Sequence, residues 1–259
     1  MHTHLYPPIE IVSHRGARFE APENTVPGFA YAVRLGMTTV EFDVRLTRDG
    51  QLAVIHDATV DRTTNGSGQV SDMAAAELRA LDASSIHEGW PEPCPVPLLD
   101  EVLRALAGMP HMEIEIKKDT PENLERIVPL VFKTMRRVGR TDGIVITSFE
   151  PYALELAMRH APEQPRGLIA MDWSTGEAFD HAARLQVSKV GINLECATPE
   201  IVARARSAGY RTVGWPCNTP EAAGKVAECG FDEVCTDAPT AIAPLFGREV
   251  MPVEDATSR

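Results

Sequence analysis

The chain has 259 residues, five cysteines and a formal charge of −12. This acidic balance, without a stripe rich in Lys and Arg, argues against nucleic acid or an anionic membrane as the main partner. The length suits a single α/β barrel domain over residues 1–259, which needs no metal or disulfide for stability alone. Because no run reaches about 18 apolar residues and the N-terminus lacks a secretion pattern, we expect a cytoplasmic protein without membrane insertion.

Short runs rich in β-branched residues alternate with longer amphipathic segments along the chain. Eight runs are predicted to be parallel strands: 9–14, 38–44, 111–117, 143–149, 166–170, 189–194, 211–215 and 232–236. Helical segments are predicted at 25–35, 121–138, 151–160, 199–208 and 220–228. Because strands that alternate with helices form parallel sheets, and eight units suffice for closure, the pattern predicts a TIM (β/α)8 barrel.

Two stretches depart from this alternation. Residues 51–56 follow the dipeptide Asp49-Gly50, a strong hairpin signal, so we expect an extra strand antiparallel to the second strand and outside the ring. Residues 57–98 are rich in Gly, Pro and Ser, which predicts a small insertion after this strand. Both a cap that sets specificity and a plain surface excursion fit this composition.

Glu41 and Asp43 lie on one face of the second predicted strand, together with Arg45, because strand side chains alternate between faces. Burying two carboxylates without a partner is costly, so a divalent cation or a fixed Lys or Arg is the expected companion. From this stretch alone, a metal site and a solvated strand edge on which Arg45 pairs with a carboxylate fit equally well.

Polar residues concentrate at the carboxyl ends of the first strands, where the active sites of such barrels lie. The first strand ends in His14 and Arg15, the hairpin ends in His56-Asp57, and the third strand carries Glu113, Glu115 and Lys117 on one face. A parallel barrel strand is normally apolar on both faces, so plain surface exposure explains this third run poorly. We therefore expect carboxylates, histidines and cations to meet at one mouth.

Short motifs follow one another in a recognisable order: His14-Arg15-Gly16, Ala21-Pro22-Glu23-Asn24-Thr25, EFDVRLTRDG (41–50), His56-Asp57, DRTTNG (61–66), EIEIK (113–117), TSFE (147–150), Trp215 with Asn218, and Cys235-Thr236-Asp237. Their order and spacing, from about residue 9 to 245, resemble the glycerophosphodiester phosphodiesterase family, most closely its compact cytoplasmic bacterial members. The resemblance implies hydrolysis of glycerophosphodiesters to sn-glycerol 3-phosphate and an alcohol.

The resemblance also implies the catalytic groups. Glu41, Asp43 and Glu115 would bind one divalent cation, Mg²⁺ or Ca²⁺, since oxygen ligands suit a hard ion. His14 and His56 would be the acid/base pair, because an imidazole transfers protons in both directions near neutral pH. The sequence does not indicate which of the two is the acid, nor whether water or the glycerol hydroxyl attacks phosphorus first.

Four residues would then contact the substrate. Arg15 and Lys117 would bind the phosphate, although each could instead only neutralise a neighbouring carboxylate. Phe149 and Trp215 would wall the glycerol, although packing in the core fits equally well.

Glu23 and Asn24 are candidates for orienting a metal ligand or a histidine. Asn24 would serve equally well as the N-cap of the helix that begins near Thr25. The chain departs from the family at Glu113, where a neutral amide is common, which predicts an extra negative charge near the metal. It also departs in the first loop, where Arg18 is one of the altered residues and a change of leaving-group preference is expected.

Two other functions compete with this one. A phosphodiesterase of the lysophospholipase D type would need an apolar acyl groove, which the sequence does not show. A catalytically silent protein that binds a phosphate ligand would be expected to lack one of the two histidines or one of the three metal ligands. All five of these residues are present: His14, His56, Glu41, Asp43 and Glu115. The expected partner is a small-molecule glycerophosphodiester, and the sequence does not indicate an oligomeric state.

Overall fold

A computed structural model describes residues 5–87 and 89–251. The strands of this part of the chain are β1 (Glu10–His14), β2 (Thr39–Leu46), β3 (Leu52–Val54), β4 (His111–Ile116), β5 (Ile144–Ser148), β6 (Arg166–Ala170), β7 (Lys189–Asn193), β8 (Arg211–Trp215) and β9 (Glu233–Thr236). All except β3 are parallel and form a ring in the order β1-β2-β4-β5-β6-β7-β8-β9. The ring closes because β1 pairs with both β2 and β9. The predicted TIM barrel is confirmed.

Helices lie outside the ring, and all but the second of them follow or precede a strand of the ring directly. They are α1 (Val26–Arg34), α2 (Ala75–Arg79), α3 (Leu99–Ala105), α4 (Pro121–Val138), α5 (Pro151–His160), α6 (Gly176–Arg184), α7 (Pro199–Ser207), α8 (Pro220–Cys229) and α9 (Pro239–Ile242). Several begin with a Thr-Pro-Glu sequence, in which the Thr hydroxyl accepts a hydrogen bond from a backbone N–H of the first turn. This cap and the proline that follows it fix where these helices start.

The extra strand lies outside the ring, as predicted. β3 is antiparallel to β2, with Val44 opposite Val54, and the chain reverses in the turn around Gly50. The N–H of Ile55 then donates to the carbonyl oxygen of Asp43 at 3.1 Å. The hairpin therefore returns the chain to the level of Asp43, which places His56 beside the second strand.

The segment 57–98 packs on this hairpin through a small apolar cluster of its own. Val60, Val70, Leu78, Ala83 and Val96 are buried against Ala53 and Ile55 of the hairpin. The segment contains α2 and a short 3-10 turn, Val70–Asp72. Its treatment as an insertion in one domain over 1–259 stays a prediction, and the ends of that range lie outside the described residues.

Candidate active site

Three carboxylates meet at the mouth of the barrel. Glu41 and Asp43 lie on β2, and Glu115 lies on β4 directly opposite Asp43 in the strand register. All three are buried, and one oxygen of each lies within 4.8 Å of the others. Glu41 Oε1 and Asp43 Oδ1 accept no hydrogen bond within the part of the chain that the structure describes. Within the same residues, Asp43 Oδ1 has only the Lys117 ammonium, at 3.3 Å, as an ion-pair partner. Because buried carboxylate oxygens that accept no hydrogen bond are costly, the triad fits an oxygen-seeking cation such as Mg²⁺ or Ca²⁺.

The pKa values of the three carboxyl groups are shifted in different directions. Burial and repulsion by its neighbours raise the pKa of Glu41 well above its usual value, and the same causes raise the pKa of Glu115 to about 7. Burial would also raise the pKa of Asp43, but the Lys117 ammonium and the Arg15 guanidinium outweigh it and lower that pKa. The ionised forms of Glu41 and Glu115 are therefore disfavoured, and additional positive charge at the site would stabilise them.

Lys117 and Arg15 provide the cations at this mouth. Lys117 Nζ lies 2.6 Å from Glu115 Oε1 and 3.3 Å from Asp43 Oδ1. Arg15 Nε lies 3.3 Å from Asp43 Oδ2. Both side chains also line the cavity at the mouth. They therefore neutralise carboxylates here and are within reach of an anion that enters the cavity.

Arg45 does not pair with the carboxylates of its strand. Its Nε donates instead to the carbonyl oxygen of His56 at 2.7 Å. Glu41 and Asp43 are 4% and 0% exposed. The alternative of a solvated strand edge is therefore wrong.

Two histidines flank the triad. His14, at the end of β1, has its Nε2 3.7 Å from Glu41 Oε2. His56, after β3, lines the same cavity. Burial lowers the pKa of both imidazoles, although neighbouring carboxylates partly oppose it. Burial therefore favours the neutral form of each, which can accept a proton.

Each histidine is bound through Nδ1 to an aspartate. His14 Nδ1 lies 2.5 Å from Asp237 Oδ1, and His56 Nδ1 lies 2.6 Å from Asp57 Oδ1. Asp237 also accepts a hydrogen bond from Asn218 Nδ2 at 2.6 Å and contacts Arg18 Nε at 2.8 Å. Sequence reasoning gave Asp237 no role, although its position directly after the last strand was a usable signal.

Asn24 and Glu23 lie behind the cavity. Asn24 Nδ2 donates to Asp43 Oδ2 at 2.8 Å, so it holds a member of the triad. The alternative prediction that Asn24 is the N-cap was wrong, because Thr25 caps α1: its hydroxyl oxygen accepts a hydrogen bond from the Gly28 N–H. Glu23 accepts from Arg15 Nη1 at 3.0 Å and from Arg62, which sequence reasoning also left without a role. The φ of Asn24 is 57°, a strained value of the kind that concentrates at functional sites.

The cavity at the mouth encloses about 130 Å³. Phe149 and Trp215 form one wall, with their rings edge to face and their centroids 5.3 Å apart. Gly167 and Gly191 line the same cavity. A Cβ at Gly191 would lie 3.3 Å from Trp215 Nε1, so glycine keeps the space beside this indole open.

Glu113 faces the barrel interior, where a lysine offsets its charge. It lies opposite Glu41 in the register, but its carboxylate accepts from Lys189 Nζ at 2.6 Å. The same Nζ donates to Glu233 at 2.6 Å. Because Arg211 also pairs with Glu233, the two cations together balance the two carboxylates, and the extra negative charge expected near the metal is offset.

Residues 14–241 match the sequence profile of the Glycerophosphoryl diester phosphodiesterase family. The chain belongs to this family. A glycerophosphodiester phosphodiesterase of Caldanaerobacter subterraneus subsp. tengcongensis is 30% identical over 239 residues, which span 91% of this chain and 96% of that protein.

Solved structures of phosphodiesterases share the barrel. An Oleispira antarctica phosphodiesterase, in complex with the product sn-glycerol-3-phosphate, is 26% identical with a TM-score of 0.86, covering 94% of this chain and 98% of that one. A glycerophosphodiester phosphodiesterase of Agrobacterium tumefaciens is 30% identical with a TM-score of 0.77, covering 92% and 98%. Within residues 5–87 and 89–251 of the present phosphodiesterase, no helix combines the length and apolarity needed to cross a membrane.

Proposed function

We propose that this phosphodiesterase hydrolyses glycerophosphodiesters to sn-glycerol 3-phosphate and an alcohol. The observation that carries the proposal is the buried triad of Glu41, Asp43 and Glu115, in which Glu41 Oε1 accepts no hydrogen bond from the described residues, at a mouth that two histidines also line. Family membership and the product complex of the Oleispira relative support the substrate class.

Glu41, Asp43 and Glu115 would hold one divalent cation, Mg²⁺ or Ca²⁺. When bound, such an ion supplies positive charge that polarises a phosphoryl oxygen. Arg15 and Lys117 would bind the other phosphate oxygens, because each lines the cavity and carries donors. Phe149 and Trp215 would wall the glycerol, beside the space that Gly191 leaves open.

His14 and His56 would transfer the protons of the reaction. One, as the neutral imidazole, takes the proton of the attacking oxygen as the new P–O bond forms, and the other, which enters the step as the imidazolium, donates its Nε2 proton to the alcohol oxygen as the old P–O bond breaks. The aspartate on Nδ1 of each ring fixes the tautomer and leaves Nε2 for the transfer. The attacking group is either water or the neighbouring glycerol hydroxyl, which would give a cyclic phosphate that water then opens.

Two experiments test this proposal. Incubation with glycerophosphocholine should release sn-glycerol 3-phosphate and choline, and EDTA should abolish the release. No metal-dependent release would refute the hydrolysis, and faster turnover of lysophosphatidylcholine would instead favour the lysophospholipase D type. A single-turnover reaction quenched early should show the cyclic phosphate if the glycerol hydroxyl attacks first.

The cytoplasmic location predicted from the sequence is also kept as a proposal. Cell fractionation with antibody detection tests it, and recovery with the membrane or the medium would contradict it.

A further inference from the structure

An uninterrupted chain of side-chain contacts joins the acid/base histidine to the phosphate-binding arginine through the insertion. It runs through His56, Asp57, Arg62, Glu23 and Arg15 and ends on Asp43. We propose that Arg62 is a positioning residue that fixes the side chains of His56 and Arg15 relative to each other. The inference rests on the proposed roles of those two residues and assigns a function to the insertion.

The geometry of Arg62 is specific to a guanidinium. Its Nε donates to Asp57 Oδ2 at 2.6 Å. Its Nη1 and Nη2 donate to the two oxygens of Glu23, each at 2.8 Å. A planar fork can serve two carboxylates in this way, whereas a lysine ammonium offers a single point of charge.

The two carboxylates that Arg62 binds, Asp57 and Glu23, each contact a different residue of the site. Asp57 uses its other oxygen to hold His56 Nδ1. Glu23 Oε1 also accepts from Arg15 Nη1 at 3.0 Å, and the Glu23 side chain is only 3% exposed. Loss of Arg62 would leave Asp57 free to turn away from the imidazole and Glu23 with a buried oxygen that lacks its donor.

Arg62 itself is 41% exposed, and a single exposed ion pair contributes little to stability. Its backbone, however, is fixed by buried neighbours. Thr64 donates through both its N–H and its hydroxyl to the carbonyl oxygen of Val60, and Val60 lies in the apolar cluster of the insertion. The insertion therefore carries Arg62 on an ordered turn, so that its fold supports the site directly.

The decisive variant is Arg62→Met, which keeps the length of the side chain and removes the donors. With glycerophosphocholine we expect kcat to fall about 10- to 100-fold, less than loss of the whole acid/base group, while the Kd for Mg²⁺ from calorimetry stays within twofold. Arg62→Lys should recover only a small part of this loss. Arg79→Met is the matched control, because Arg79 pairs with Glu101 and does not line the cavity, and its kcat should be unchanged.

A double-mutant cycle and an NMR signal complete the test. If Arg62 acts through Asp57, the losses from Arg62→Met and Asp57→Asn should combine to less than their product. The Nδ1–H proton of His56, identified by its absence in His56→Gln, should be visible in the wild type and lost in Arg62→Met. This readout needs no turnover, so it separates a failure of the inference from a failure of the proposed function. An unchanged His56 signal, or a kcat equal to that of the wild type, would overturn the role of Arg62.

Discussion

His14 and His56 are held in the same manner but with different rigidity. The Asp237 side chain is 1% exposed and is also bound by Asn218 and Arg18. The Asp57 side chain is 29% exposed and is bound, besides His56, by Arg62. His14 is therefore fixed within the barrel wall, whereas the position of His56 depends on contacts at the protein surface.

The roles of the histidines and the carboxylates are separable by substitution. We expect Glu41→Ala to lose metal binding and activity together, because the open-sided oxygen site cannot spare a ligand. His56→Ala should keep the metal while kcat falls roughly 10²-fold or more, the usual size of an acid/base contribution. Calorimetric titration with Mg²⁺ alongside steady-state kinetics checks both. Equal loss of metal from the two variants would contradict this division of roles.

Asp237 should make the stability of the protein sensitive to acid. Burial alone would raise its pKa, but the His14 hydrogen bond and the Arg18 guanidinium lower it from 3.8 to about 2. A lowered carboxyl pKa stabilises the fold above the unfolded value and ceases to do so as the pH falls through the folded value. The free energy of unfolding of the wild type should therefore exceed that of Asp237→Asn by about 2 kcal/mol near neutral pH, and the excess should vanish between about pH 4 and pH 2.

Urea denaturation of both proteins over this range measures the excess. Asp180→Asn, at an exposed position of α6, is the control for removing a carboxylate as such. An excess that stays constant down to pH 2 would show that Asp237 acts through packing rather than charge.

Within one element, β4 carries two carboxylates of different function. Glu115 belongs to the triad, whereas Glu113, two residues earlier, is bound to Lys189. Loss of a residue that only supports a metal ligand typically weakens metal binding about 10- to 100-fold. Glu115→Gln removes a ligand itself, so it should weaken Mg²⁺ binding by more than this. Glu113→Gln should leave the Kd within twofold and lower the free energy of unfolding by about 1–3 kcal/mol, because it weakens a buried charged hydrogen bond. Equal effects of the two substitutions on the Kd would contradict this assignment.

The strands and the helices α1, α4, α5, α7 and α8 were predictable because each has a local signal, whereas α2, α3, α6 and α9 were not predicted. β2, β4 and the Asp49-Gly50 hairpin follow from period-2 patterns and turn residues, and barrel topology then brings their polar ends together. The partners of the site residues have no such signal. Asp237 lies 223 residues from His14, and Glu23 lies 39 residues from Arg62. These contacts depend on ring closure and on how the insertion packs, neither of which a sequence pattern specifies.

Binding of a metal ion should raise the thermal stability of the whole molecule. The triad joins β2 and β4 of the ring, and two of its buried oxygens accept no hydrogen bond from the part of the chain that the structure describes. A ligand that binds only the folded state stabilises it by roughly 2.7 kcal/mol at 100 times its Kd. For a protein of this size that corresponds to a rise in Tm of about 5–10 °C. Thermal denaturation with Mg²⁺ or Ca²⁺, against an EDTA-treated sample, measures the shift and ranks the two ions. Glu115→Gln should show little or no shift, whereas Glu113→Gln should shift as the wild type does. A similar rise in both variants would mean that the ions act elsewhere on this acidic protein.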